Sequence, residues 1–222
     1  MSDYQSPAER AVGSGSSEAT QANGWPQGVE IRVLAPDQIG LVEGLWRELL
    51  DHLDDLGSVV ALVPHEQSWP RRRAAYEELL DDGRSFCLGA WRGKRLIGYA
   101  MVHIAGPDPV WATGSSFAEL STLSVTESER GAGVGTALLD AVEHELATRG
   151  IGEYVIGVDS VNDAARRFYE RRGFRIGFHL MHGRIRTERS PGSAAARSPE
   201  VGAAGIGETD DETPETAMHG EP

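Results

Sequence analysis

The chain has 222 residues, with 34 Asp and Glu against 21 Lys and Arg, and a formal charge of −13. That balance argues against a general nucleic-acid binder, which needs a basic stripe to neutralise phosphates. No apolar run approaches the ~18–20 residues of a membrane span, the N-terminus lacks the basic-then-apolar order of a secretory signal, and the single cysteine, Cys87, can form neither an internal disulfide nor a thiolate metal cluster. A cytoplasmic protein with no metal, no membrane and no nucleic-acid partner is therefore expected.

In chain order, residues 1–27 come first, with three acids against one arginine and almost no large apolar side chains. Residues 189–222 repeat that character with seven acids against two arginines. Neither segment can bury enough surface to offset chain ordering, so both are expected as disordered tails around one domain at 28–188. Within it, Val29–Leu34 alternates and predicts a strand. Asp37 is a candidate cap for a helix whose apolar positions run from Leu41 to Leu53. The stretch 57–68 predicts a loop, and Pro70 predicts the first residue of a helix reaching about Leu80. Ser85–Trp91 and Arg95–Ile104 form a strand pair about Arg92-Gly-Lys94. Phe117–Val125 predicts a strand, Thr136–Arg149 a helix stopped by Gly150, Glu153–Val158 a strand, Asp163–Arg172 a helix stopped by Gly173, and Phe174–Ile185 a strand-rich end. This order indicates a mixed α/β sheet with helices on both faces.

The segment Arg130-Gly-Ala-Gly-Val-Gly135 ends a strand and polar turn and opens a helix. Glycines let the backbone approach closely and turn several N–H groups toward one point, and the helix N-terminus adds its partial positive charge. Arg130 contributes a full one. The loop lacks the Gly-Lys-Ser/Thr of a P-loop, and its G-x-G-x-G spacing departs from the dinucleotide fingerprint. Taken alone, it reads equally as a phosphate cradle or as a turn that packs a helix on a strand.

A second segment follows one helix and one strand later: Asn162-x-x-Ala165-x-x-Phe168-Tyr169-x-x-x-Gly173-Phe174. Together the two resemble the motifs of the GCN5-related N-acetyltransferase (GNAT) superfamily, whose pyrophosphate loop reads Arg/Gln-x-x-Gly-x-Gly/Ala. The resemblance covers about residues 28–186 and is specific over 117–174. It implies the GNAT fold: a mixed central sheet of six or seven strands, about four helices, and a V-shaped split between the two central strands, here Phe117–Val125 and Glu153–Val158.

What the resemblance implies chemically is acetyl transfer from acetyl-coenzyme A to a primary amine by direct attack in a ternary complex. Leu123, Ser124 and Val125 would hold the pantetheine and polarise the thioester; Arg130, Gly131, Ala132, Gly133, Val134, Gly135 and Thr136 would hold the pyrophosphate; Asn162 would lie beside the pantetheine. Tyr169 matches the tyrosine that protonates the leaving thiolate, although a helix-face aromatic packed beside Phe168 is the alternative. Glu119 matches a frequent acidic position and is a candidate base or substrate contact, with His103 as runner-up and a water chain as a third route. Alternation puts Glu119, Ser121 and Leu123 on one face, unless a bulge changes the phase. Cys87 reads as a buried small hydrophobe, and Arg71-Arg-Arg73 as a solvated face. The segments 57–70 and 106–116, with Trp69 and Trp111, leave the acceptor open among small-molecule and peptide amines, and the chain as monomer or homodimer. An acyl-coenzyme A sensor without turnover is the alternative function.

Overall fold

A computed structural model describes residues 24–183, except 109, 111 and 113. Most of both expected tails, the end of the expected C-terminal strand, and Trp111 lie outside the described residues.

The elements are β1 (Val29–Leu34), a 3-10 helix (Pro36–Val42), α1 (Glu43–Asp55), α2 (His65–Asp81), β2 (Phe86–Arg92), β3 (Arg95–Ala105), β4 (Phe117–Val125), a 3-10 turn (Glu127–Glu129), α3 (Val134–Thr148), β5 (Tyr154–Ile156) and α4 (Asp163–Arg171). Strands β1 to β5 lie in sequence order; the first four are antiparallel and β5 joins β4 in parallel. On one face Leu138, Leu139, Val142 and Leu146 of α3 pack on Ala100, Val102 and Leu120. On the other, Trp46 and Leu50 of α1 and Trp69 and Tyr76 of α2 pack on Leu34, Tyr99 and Met101. This is the three-layer arrangement expected of an amphipathic sheet between helices.

Three expectations change. Helix α2 begins at His65, five residues before Pro70, with Pro64 as its N-cap. The proline removes a single bond in the second turn, and tertiary contacts hold the first: Ser68 and Trp69 are buried, and the Trp46 indole donates to Ser68 Oγ at 3.1 Å. The sheet has five strands among the described residues rather than six or seven. Residues 174–183 alternate like a strand but have no regular structure; Phe178, Leu180 and Met181 are exposed and no partner strand lies beside them among the described residues. Apolar alternation does not make a strand without a ladder partner.

The third concerns β4. Met101 pairs with Thr122 but Val102 pairs with Leu120, so Ser121 is an extra, bulged residue. The bulge reverses the faces of the strand. Ala118 and Leu120 lie in the α3 core, whereas Thr122 and Ser124 bond to Tyr76 and to the Leu45 carbonyl on the α1–α2 side. Leu123 and Val125 pack toward α3. Glu119 therefore shares its face with Thr122 and not with Leu123, as unbroken alternation had suggested.

Candidate active site

β4 and β5 pair only at Ala118↔Tyr154, Glu119↔Val155 and Leu120↔Ile156. Beyond Leu120 the two strands part, so Ser121–Val125 present a free backbone edge to a cleft. Three structures converge on that edge.

The first is the glycine loop. Gly131 and Gly133 have φ of 77° and 84°, the left-handed region that favours glycine. Gly133 caps α3, and the first helical bond runs from the Ala137 N–H to the Gly133 carbonyl at 3.0 Å. The N–H groups of Val134, Gly135 and Thr136 consequently have no acceptor within the helix. A side chain at Gly131 would meet open space, while one at Gly135 would face Phe168 of α4 and Val125 of β4 at 3.8 Å. The Arg130 Nε donates to the Val125 carbonyl at 3.1 Å, tying its exposed guanidinium to the end of β4. Backbone donors, positive φ and a cation are the features that suit a pyrophosphate.

Behind the loop, Glu129 receives Arg92 through two nitrogens at 2.9 and 3.1 Å and Arg95 at 2.8 Å. Arg92 also donates to the Gln27 carbonyl at 2.7 Å, and Pro26 lies against Gly133. The arginines hold the Glu129 carboxyl below the usual carboxylate range, chiefly through the Arg92 hydrogen bond. Residues 26–27, within the expected N-terminal tail, thus brace the loop.

The second structure is α4. Asn162 caps it, its Oδ1 accepting from the Ala165 N–H at 3.0 Å, a bond that leaves the amide NH₂ as a donor. Tyr169 is nearly buried, its ring edge-on to Phe168 and Phe174 at 5.0 and 5.4 Å. Burial raises the phenol pKa, so it keeps its proton at neutral pH.

The third is α1 with the loop that follows it. Glu48 accepts from Thr126 Oγ1 and from the Glu127 N–H, fixing α1 to the turn after β4. Ser58 Oγ donates to Asp159 Oδ2, so the α1–α2 loop is tied to the β5–α4 turn. A shallow cavity of about 150 Å³ beside Arg130 is lined by Glu48, Asp51, His52, Asp55 and Glu127.

Of the residues singled out in the sequence, the free edge gathers Leu123, Ser124 and Val125, and the loop gathers Arg130 through Thr136. Glu119 and His103 are direct cross-strand partners on the α1–α2 face, both half-buried. Cys87 is fully buried, and burial pushes its thiol up to about 12. The arginines 71–73 divide: Arg73 pairs with Glu77, Arg71 bonds Gln67, and Arg72 stacks over Trp46 and Tyr76. Sequence reasoning missed the Ser58–Asp159 bridge, the Glu129 clamp and the hydroxyls of Tyr76 and Thr122, none of which belongs to a local motif.

Comparison with known proteins follows the same outline. A profile described as the acetyltransferase (GNAT) family matches residues 43–174, more than half of the chain. The chain belongs to the GNAT acetyltransferase family. It is 31% identical over 153 residues to a mycothiol acetyltransferase of Geodermatophilus obscurus, covering 67% of this chain and 45% of that one. It is 35% identical over 103 residues to an uncharacterized N-acetyltransferase of Mycobacterium bovis, covering 46% of this chain and 61% of that one. The chain therefore spans about half of the length of these curated relatives. In fold it resembles a GCN5-related N-acetyltransferase from Ralstonia eutropha, at TM-score 0.58 and 23% identity, with 70% of this chain and 98% of that one covered. A soil-metagenome aminoglycoside acetyltransferase matches at TM-score 0.52 and 16% identity, covering 72% and 97%. Among the described residues no helix is long and apolar enough to cross a membrane.

Proposed function

We propose that this chain transfers an acetyl group from acetyl-coenzyme A to a primary amine, by direct attack within a ternary complex. The observation that carries this reading is the free edge Ser121–Val125, opened where the β4–β5 ladder stops and next to the donor-rich start of α3, where Gly135 lies between Val125 and Phe168 of α4.

The orphan N–H groups of Val134, Gly135 and Thr136, with Gly131, Ala132, Gly133 and Arg130, suit the pyrophosphate. Leu123, Ser124 and Val125 offer backbone groups to the pantetheine, with the Asn162 amide beside it. Acetyl-coenzyme A supplies the activated thioester. The protein must then deprotonate the amine, stabilise the oxyanion and return a proton to the thiolate. Glu119 is the proton acceptor, with His103 across the ladder as its neighbour. N–H groups of the free edge stabilise the oxyanion. Tyr169, kept as a phenol by its surroundings, delivers the last proton.

The acceptor is a small-molecule or peptide amine. Because relatives bear the name mycothiol acetyltransferase, mycothiol-related amines belong in the first panel, beside polyamines, amino acids and aminoglycosides. The test is thiol release from acetyl-coenzyme A across that panel, with coenzyme affinity measured by calorimetry. Amine-dependent thiol release is expected. Tight coenzyme binding with no release for any amine would favour a sensor, and absence of binding would defeat both readings.

A further inference from the structure

Thr122, Tyr76 and Tyr99 form a buried chain of hydroxyls beneath the bulge. Tyr76 and Tyr99 are fully buried and Thr122 nearly so. The Thr122 hydroxyl donates to the Ser121 carbonyl at 2.7 Å. The Tyr76 hydroxyl lies 2.5 Å from Thr122 Oγ1 and 3.3 Å from the Tyr99 hydroxyl.

Proton counting fixes the direction of the chain. A carbonyl only accepts, so the single Thr122 proton points at Ser121. Tyr76 must then donate to Thr122 Oγ1, and Tyr99 to Tyr76. The chain runs one way, from Tyr99 to the Ser121 carbonyl, and each donor polarises the next.

That carbonyl occupies a particular place. Ser121 has no partner in the β3 register, and the β5 register ends one residue before it. Where a bulge breaks the register, a side-chain hydrogen bond to the bulged carbonyl adds a constraint on the peptide's orientation that regular pairing does not supply. The Ser121 peptide is also the first of the free edge. We infer that Tyr99, Tyr76 and Thr122 are positioning residues that set the backbone orientation of Ser121–Val125, and thereby the alignment of the thioester carbonyl with the donors that polarise it. The second half of this statement rests on the function proposed above; the first does not.

Two measurements separate the halves. Amide hydrogen exchange of the ligand-free protein reads the edge directly. Thr122→Val removes the donor to Ser121 and leaves Tyr76 without an acceptor, so exchange across 121–125 should accelerate about tenfold or more, while 117–120 keeps its rate. Thr122→Ser should restore the wild-type pattern, and Tyr76→Phe, which keeps the Thr122–Ser121 bond, should give a smaller acceleration of the same residues. Unchanged exchange at 121–125 in both Thr122→Val and Tyr76→Phe would overturn the inference, as would acceleration spread evenly over β4, which marks a loss of general stability.

Turnover reads the second half. With an amine that the wild-type protein acetylates, kcat should fall about tenfold in Thr122→Val and recover in Thr122→Ser, with a clearly smaller loss of affinity for free coenzyme A, most of whose contacts lie at the loop before α3. Equal losses in coenzyme affinity and kcat would overturn thioester alignment. A wild-type chain that binds no acetyl-coenzyme A would defeat the proposed function, and the exchange pattern would still decide the first half.

Discussion

His103 and Glu119 face one another across the β3–β4 ladder, as register partners on the side of the sheet that α1 and α2 cover. Residues so paired have Cβ atoms about 4.5–5.5 Å apart, so the two side chains stand side by side on one patch of the sheet. The pair lies on the Phe117 side of the bulge, so its facing does not depend on it. Glu119→Gln should lower kcat by about a hundredfold or more, the range of a lost general base. His103→Asn should cost less, since the carboxylate stays. Steady-state kinetics with coenzyme affinity measured in parallel checks this: an effect confined to KM for the amine would make Glu119 a substrate contact instead.

Tyr169→Phe preserves the ring that packs on Phe168 and Phe174 and deletes only the hydroxyl. Thermal stability should stay close to wild type, and kcat should fall about tenfold to a hundredfold. Because the phenol pKa is raised, the wild-type rate should show no alkaline decline from this group below its ordinary value of about 10. Turnover in the phenylalanine variant equal to wild type at every pH would remove Tyr169 from the chemistry.

Gly133 and Gly150 make a matched pair, with φ of 84° and 73° at opposite ends of α3. Alanine at either position should cost about 1–2 kcal/mol in unfolding free energy from the left-handed backbone alone. At Gly150 the added methyl meets open space, whereas at Gly133 it meets Pro26 at 3.3 Å. Only Gly133→Ala should weaken coenzyme binding, by about tenfold or more. Calorimetry on the two variants tests the loop as a ligand site apart from its role as a helix cap.

The Glu129 clamp gives a dependence on acidity. The folded-state pKa is depressed by Arg92 and Arg95, so the clamp contributes fully above the ordinary carboxylate range. Its contribution is lost as pH falls through the depressed folded value, below about 4.3. Glu129→Gln should weaken coenzyme binding at pH 7 and leave a shallower decline on acidification than wild type. Parallel acid titrations of the two proteins would reveal no difference if the clamp were dispensable.

Cys87 supplies the opposite sign. Its thiol is raised from 9.0 to about 12 by burial, so the unfolded chain releases that proton first and stability falls as pH rises between those values. The slope expected from this one group is about 1.4 kcal/mol per pH unit. Urea unfolding at pH 8 and pH 10 should show a smaller drop for Cys87→Ala than for wild type. A thiol reagent should label native Cys87 only at the rate of opening.

Much of this fold was legible locally. β1 and β4 have the bounds that alternation predicts, and the ends of α3 and α4 fall near Gly150 and Gly173 because a positive φ there admits glycine readily. The two motifs lie on the elements assigned to them, since each depends on residues within one turn. The start of α2 was not legible, because the Trp46–Ser68 contact that supports it spans 22 residues. Nor was the strand-like pattern of 174–183 a guide, because a ladder depends on a partner elsewhere in the chain.

By itself the sequence determined the order of the elements from β1 to α4, the glycine loop and the tyrosine helix, because propensity, capping and backbone freedom act over a few residues. The tertiary structure alone decided which face Glu119 shares and with whom, since one bulged residue inverts every side chain after it. It alone joined Ser58 to Asp159 across 101 residues and Tyr76 to Thr122 across 46. Those contacts exist only once the sheet and both helical layers have closed around the buried groups, so no local pattern carries them.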